Sequence, residues 1–248
     1  MAFCWRQTIL FLLVSNFVLF MARNVSAQEM LQQLAAETTL TARTLELIAL
    51  VTLLSLAPGI AIMVTCFPFL VTVLSILRQA IGLQQSPPNM LIVSLALFLT
   101  YFIMEPVFRA AWTSGLEPLL NSRLDIEVAI ARTLEPFRNF MVARLDSETF
   151  ISMARLRPDT AHLLPAAESP LSILIPSFLL SEISRAFQIG FLIFLPFLII
   201  DLVVAAVLMS MGMMMVPPAI VSLPFKLAFF VIADGWSLIA GALVRSYF

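Results

Sequence analysis

Two groups of residues in the last third of this chain have side chains at odds with their surroundings. Glu182, Arg185, Asp201, Lys226 and Asp234, with the amide of Gln188, lie within otherwise apolar sequence. A charge in such a setting is costly unless it is paired, hydrated or functional. The plainer reading is that these residues mark helix ends, where long side chains snorkel to water. The short apolar runs between them leave both readings open. Lys226 is the sole lysine, and Glu182 and Asp201 are its candidate partners. The second group is Met211, Met213, Met214 and Met215, set around Gly212 and followed by Pro217-Pro218. Methionine commonly fills irregular gaps in a core. A helix break at this point offers a second use. Non-helical backbone at membrane depth must line a cavity or be buried in protein, so flexible thioethers there would form a deformable constriction.

Catalytic chemistry finds little support. His162, the only histidine, stands in a polar stretch with no Cys or carboxylate cluster at ligand spacing, so neither a metal site nor acid–base work is expected of it. No nucleophile elbow, zinc-protease helix, phosphate loop or dinucleotide fingerprint is present. Cys4 falls in the leader described below, which leaves Cys66 alone in an apolar run, a small hydrophobe without a disulfide partner. The expectation is a protein that is not an enzyme and uses no cofactor and no metal.

The elements that must carry these residues are set by composition. Hydrophobic residues make up 61% of the 248 and charged ones 12%, with a mean hydropathy of +1.02. A soluble domain is about 45–50% apolar and about 25% charged. The excess must face lipid or other subunits. The net charge of −1 gives no electrostatic case for nucleic acid. Residues 1–27 read as a secretory signal: Arg6 supplies the positive start, Thr8 to Ala22 the apolar core, and Val25-Ser26-Ala27 the cleavage site after Ala27. An uncleaved anchor is the rival.

Residues 28–108 hold the N-terminal membrane helices. Leu47 to Phe67 is long enough to span, with Pro58-Gly59 able to kink it, and the apolar character runs on to Leu77. Pro87-Pro88 breaks the chain, and a second apolar helix covers Met90 to Met104, ending near Glu105-Pro106. Residues 109–169 differ sharply. They carry half of all basic residues, and Ile126, Ala129, Ile130, Leu134, Phe137, Phe140 and Met141 recur at amphipathic spacing, which predicts a helical, water-exposed insert. Residues 170–248 are apolar again, divided by Pro176, Pro196, Pro217-Pro218 and Pro224 into short helical stretches. The expected fold class is all-α, a multi-helix integral membrane protein with kinked helical hairpins and a helical extracytoplasmic insert. With a cleaved signal, the insert lies outside the cytoplasm.

Three stretches resemble the FliP family, membrane components of type III secretion export gates in flagella and injectisomes. They are Ile76 to Gly82 with Pro87-Pro-Asn89 and Leu95 to Pro106; Ser181 to Phe191 running into Pro196 to Leu202; and Met211 to Pro218 with Leu223 to Lys226 and Asp234 to Trp236. The resemblance implies a subunit of the flagellar export gate that forms the entry pore for flagellar proteins crossing the inner membrane, at the basal body. An injectisome subunit is the alternative. It also implies a homo-oligomer, pentameric, built with FliQ-like and FliR-like subunits, contacting lipid and unfolded export substrates. The family's Met-rich loop, a gasket around the pore, carries over to Met213, Met214 and Met215. Two positions depart from the family's pattern: Phe69 stands where many relatives carry a basic residue, and Ser177 where alanine is usual.

Overall fold

A computed structural model describes residues 40–82, 88–213 and 215–248. The signal sequence with its Ala27 cleavage site, and Met214, lie outside the described residues. By its internal contacts the chain divides into two units, residues 1–57 and 58–248. Every described element is helical. They are α1 (Leu40–Met63), α2 (Phe67–Ile81), α3 (Asn89–Ala111), a π-helical turn (Trp112–Leu116), α4 (Glu117–Leu120), α5 (Ile126–Arg144), α6 (Ser147–Arg155), α7 (Leu171–Ser210), α8 (Pro218–Ile232) and α9 (Gly235–Arg245). Among them three stretches are long and apolar enough to cross a membrane: Glu46–Met63, Asn89–Leu120 and Leu171–Ser210. The pair α8 and α9, bent by 61°, adds a broken fourth. The all-α, multi-helix membrane class is therefore the observed one.

Several boundaries differ from the sequence expectation, each for a physical reason. Helix α1 runs through Pro58-Gly59 and stops instead at Val64-Thr65-Cys66. There the Thr65 side-chain oxygen lies 3.4 Å from the Phe67 N–H, and its hydroxyl donates to the Ile62 carbonyl at 2.9 Å. Such local side-chain bonds offer the backbone an alternative to the helical ladder. The apolar run to Leu77 is thus a separate helix, α2, with Pro68 in its first turn, where a missing N–H is harmless. Helix α3 does not end at Glu105-Pro106; Pro106 sits inside it, and the composition shift at residue 109 falls within the helix. Likewise Pro176 and Pro196 lie inside the single 40-residue α7 rather than dividing it.

The core of the second unit forms where α2 crosses α7. Helix α2 buries Phe69, Leu70, Val73, Leu74 and Leu77 completely or nearly so. Gly190 permits the close approach, since a Cβ there would stand 2.4 Å from the Ile76 Cδ1. Helix α3 covers another side of α2 through Ile92, Ala96 and Met104. Helix α5 folds back along α3, and the crossing depends on Gly115 in the π-helical turn, where a Cβ would meet the Ala129 carbonyl oxygen at 2.8 Å. Of the apolar stripe expected on α5, Ala129 and Met141 are buried and Phe137 and Phe140 pack against the core, whereas Ile126, Ile130 and Leu134 remain exposed. A second apolar cluster joins Met141, Phe150, Ala154, Ile173, Leu174 and Phe178, tying α5 and α6 to the first half of α7.

Candidate functional site

The charged residues singled out from sequence fall into two clusters along α7, one polar groove and one isolated position. The first cluster surrounds Glu182, which is fully buried. Its carboxylate accepts from the Arg144 Nε at 3.2 Å, from the Arg185 guanidinium at 3.4 Å, one turn along the same helix, and from the Tyr247 hydroxyl. Arg144 closes the group. Its guanidinium lies 4.0 Å over the Tyr247 ring and donates to the Ser246 carbonyl at 2.8 Å. Phe140 stacks on that ring as well, 6.1 Å between centroids, and the edge of Phe69 meets it at 5.6 Å. One carboxylate thus gathers the end of α5, the middle of α7 and the chain's last residues. A buried charge is tolerated only when paired and hydrogen-bonded, and Glu182 meets both conditions.

The second cluster joins the two arms of the α7–α8 hairpin to α2. Lys226 Nζ donates to the Asp201 carboxylate at 2.6 Å and to the Ala80 carbonyl at 3.2 Å. The Ser222 hydroxyl donates to the other Asp201 oxygen at 2.5 Å. Ala80 lies in the last turn of α2, whose terminal carbonyls have no partners within the helix and carry the negative end of its dipole. A cation there satisfies the free acceptor as well as the carboxylate. Of the two partners open to Lys226, the structure selects Asp201.

Gln188 lies outside both clusters, in a polar groove of about 310 Å³ that it lines with Arg185, Asp146, Thr149, Ser181 and Ser184. There the Asp146 N–H donates to the Ser181 hydroxyl at 3.0 Å. Asp146 also caps α6: its carboxylate accepts from the Thr149 hydroxyl at 2.7 Å and the Thr149 N–H at 2.9 Å. These two bonds, the hydroxyl first, hold the carboxyl below its usual value of 3.8. Asp234 stands apart. It occupies the left-handed region (φ 48°) at the α8–α9 bend, is exposed, and its side chain does not cap α9.

The methionines occupy the connection between α7 and α8. Met211 follows the last residue of α7, Gly212 takes the left-handed conformation (φ 74°), and Pro217-Pro218 opens α8. Met211 and Met213 are exposed, and Met215 is 98% so. Met211 and Met213 also border an apolar groove of about 590 Å³ between the hairpin arms, with Val207, Val221 and Phe225 among its other walls.

Sequence reasoning missed Arg144, Tyr247 and Ser222. Arg144 and Tyr247 lie 38 and 65 residues from Glu182, so no spacing rule connects them. Ser222 carried a usable signal, because it precedes Lys226 by one helical turn and shares its face. Ser177, where the family resemblance leads one to expect alanine, buries a hydroxyl oxygen without a partner. Among the described residues no group of three or more His, Cys, Asp or Glu side chains is placed to hold a metal.

Comparisons with known proteins place the chain in a family. The model of the FliP family matches residues 50–243. The chain belongs to the FliP family. It is 51% identical over 212 residues to the flagellar biosynthetic protein FliP of Caulobacter vibrioides, covering 84% of this chain and 78% of that protein. The same-named protein of Agrobacterium fabrum is 50% identical over 201 residues, 80% of this chain and 81% of its own length. That of Bacillus subtilis is 45% identical over 208 residues, 82% and 92% respectively. These three relatives are flagellar, and the injectisome alternative is not favoured. With its apolar helices, this FliP-family chain is a membrane-associated flagellar protein of the type III export apparatus.

Proposed function

We propose that this chain forms the entry pore of the flagellar type III export gate, as one of several copies in a homo-oligomeric, pentameric ring completed by FliQ-like and FliR-like subunits. The ring stands in the inner membrane at the flagellar basal body, with residues 109–169 on its extracytoplasmic side. Unfolded flagellar proteins pass through it without chemical change. The observation that carries this reading is the methionine turn. Met211, Met213 and Met215 are presented at the tip of a hairpin whose arms are fastened by the Lys226–Asp201 pair. An apolar, flexible, polarizable side chain excludes hydrated ions when packed against its copies, yet reshapes around varied substrate side chains.

The charged clusters are assigned to assembly. Lys226, Asp201 and Ser222 set the hairpin angle, while Glu182 and Arg185 fix the long helix against α5 and the chain end. Gln188 and Asp234, exposed and outside both clusters, are assigned to contacts with other subunits. Replacing Met213, Met214 and Met215 together by alanine removes the seal without touching either cluster. Ion permeability of cells carrying the variant should rise while the assembled complex remains isolable. Unchanged permeability in an intact complex would defeat the gasket, and an unassembled variant calls for the Met→Leu version, which keeps the volume.

A further inference from the structure

The extramembrane helices carry a knob and a groove that fit each other but are not joined within the chain. The knob is Arg155-Leu156-Arg157 at the end of α6. Leu156 is 74% exposed, and among the described residues Arg155 forms no ion pair, while Arg157 meets only the exposed Asp159, at 3.7 Å. The turn that presents it is fixed from beneath, for the buried Thr160 hydroxyl lies 3.1 Å from the Ala154 carbonyl and 3.2 Å from that of Arg157. The groove, about 620 Å³, runs along α5 beside residues 167–168. Its floor includes Ile130 and Leu134, which are exposed on a helix rich in charge, and its rim holds Glu127, Glu135 and Glu168 together with Arg132 and Arg138, so carboxylates outnumber cations there. No ion pair engages these three carboxylates among the described residues. The groove too is held in shape: Arg138 donates to the Ala167 and Ser169 carbonyls at 2.8 and 2.9 Å.

We infer that the Arg155-Leu156-Arg157 knob of one copy of this chain seats in the α5 groove of the next, with Leu156 against Ile130 and Leu134 and the arginines on the glutamate rim. An exposed leucine flanked by two cations matches an apolar floor whose edge carries three carboxylates against two arginines, one of them, Arg138, already turned onto the Ala167 and Ser169 carbonyls. Both surfaces are ordered in advance, so little conformational freedom is lost on docking. Knob and groove are different patches, which makes the contact head-to-tail, and a head-to-tail contact closes into a ring when its rotation allows. The inference rests on the homo-oligomer proposed above and assigns it a contact surface.

The test pairs Leu156→Cys with Ile130→Cys in the full chain, expressed with its export partners in membranes. Mild oxidation should give a covalent dimer and higher ladders, which neither single variant gives. Loss of the ladder on adding Glu135→Arg, and its return with Arg155→Glu beside it, would confirm the pairing by charge. An absent ladder in a preparation that still runs as an oligomer on a native gel would overturn this contact alone. A preparation without any oligomer would overturn the ring as well. In the Ile130→Cys single variant, labelling of the introduced thiol by a lipid-soluble but not a water-soluble maleimide would assign the groove to lipid. Cross-linking of that thiol to an unrelated protein would assign the groove to that partner instead. Both outcomes defeat the inference.

Discussion

At the residue scale, the recurring device is a polar group whose cost is met by a partner far away in sequence. The Asp146 carboxylate is an exception, since its partners lie in the next helical turn. The Thr149 bonds lower its pKa below the ordinary 3.8. A carboxyl whose folded pKa is depressed lends stability that is complete above its unfolded value and fades as acid titrates it. The α6 cap should therefore hold above about pH 4 and weaken as the pH falls through the lowered pKa. Amide exchange at Thr149 and Phe150, followed from neutral pH into the acid range, should accelerate relative to the neighbouring helix α5. In Asp146→Asn that extra acid sensitivity should vanish, because no carboxyl remains to be protonated. Were the two proteins to show the same pH profile, the cap would not be the titrating element.

At the element scale, prolines and polar residues have less to say about boundaries than the packing around them. Pro106, Pro176 and Pro196 each sit inside a helix, because in apolar surroundings a kinked helix leaves fewer backbone groups unpaired than one that ends at each proline. Lys226 is the charged tie across the hairpin of α7 and α8, beside the Ser222–Asp201 bond and the packing of Phe197 on Phe229 and Phe230. Lys226 bridges Asp201 and the end of α2, so removing its charge leaves a carboxylate and a terminal carbonyl without their donor. Lys226→Met should loosen the hairpin and lower the yield of assembled complex, and Asp201→Asn should do so more mildly, since its amide still meets Ser222. The exchanged pair Lys226→Asp with Asp201→Lys should recover only part of the loss, because the lysine would no longer reach Ala80. Full recovery would show that the contact to α2 contributes nothing.

At the scale of the whole molecule, length and apolar surface set the terms. Helix α7 has 40 residues, about 60 Å at 1.5 Å per residue. A hydrocarbon core is about 30 Å thick, so a single crossing cannot contain it. The polar belt of Ser181, Glu182, Ser184, Arg185 and Gln188 divides it into a shorter stretch that packs on α5 and α6 and a longer, mostly apolar one that ends at the methionines. The buried Glu182 fastens that belt to Arg144 and to Tyr247. Glu182→Ala takes the carboxylate from the largely shielded Arg144, which keeps only the Ser246 carbonyl and the Tyr247 ring, and so destabilises the fold. The variant should be recovered at a small fraction of the normal amount, with the chain end from Tyr247 inward newly open to carboxypeptidase. Tyr247→Phe, which keeps the ring under Arg144 and removes only the hydroxyl, should fall between that variant and the unaltered chain. Normal resistance to digestion in Glu182→Ala would refute the link.

The sequence by itself determined the class and the family. Apolar excess demands a membrane or subunit setting, and the three ordered stretches from Ile76 to Trp236 carry the resemblance that the family model and the relatives bear out. It also placed the methionines at a helix break, because Gly212 and Pro217-Pro218 are local signals. What only the tertiary structure decided is which charges meet. Lys226 could be assigned to Glu182 or to Asp201 by sequence, and Arg144 and Tyr247 could not be assigned at all, because the partners lie dozens of residues apart and nothing in local spacing encodes a crossing. The extent of α7 was hidden for the same reason. A proline or a charge reads as a break when considered along one chain, whereas α7 runs on through Pro176 and Pro196 because ending the helix in apolar surroundings would strand more backbone groups than a kink does.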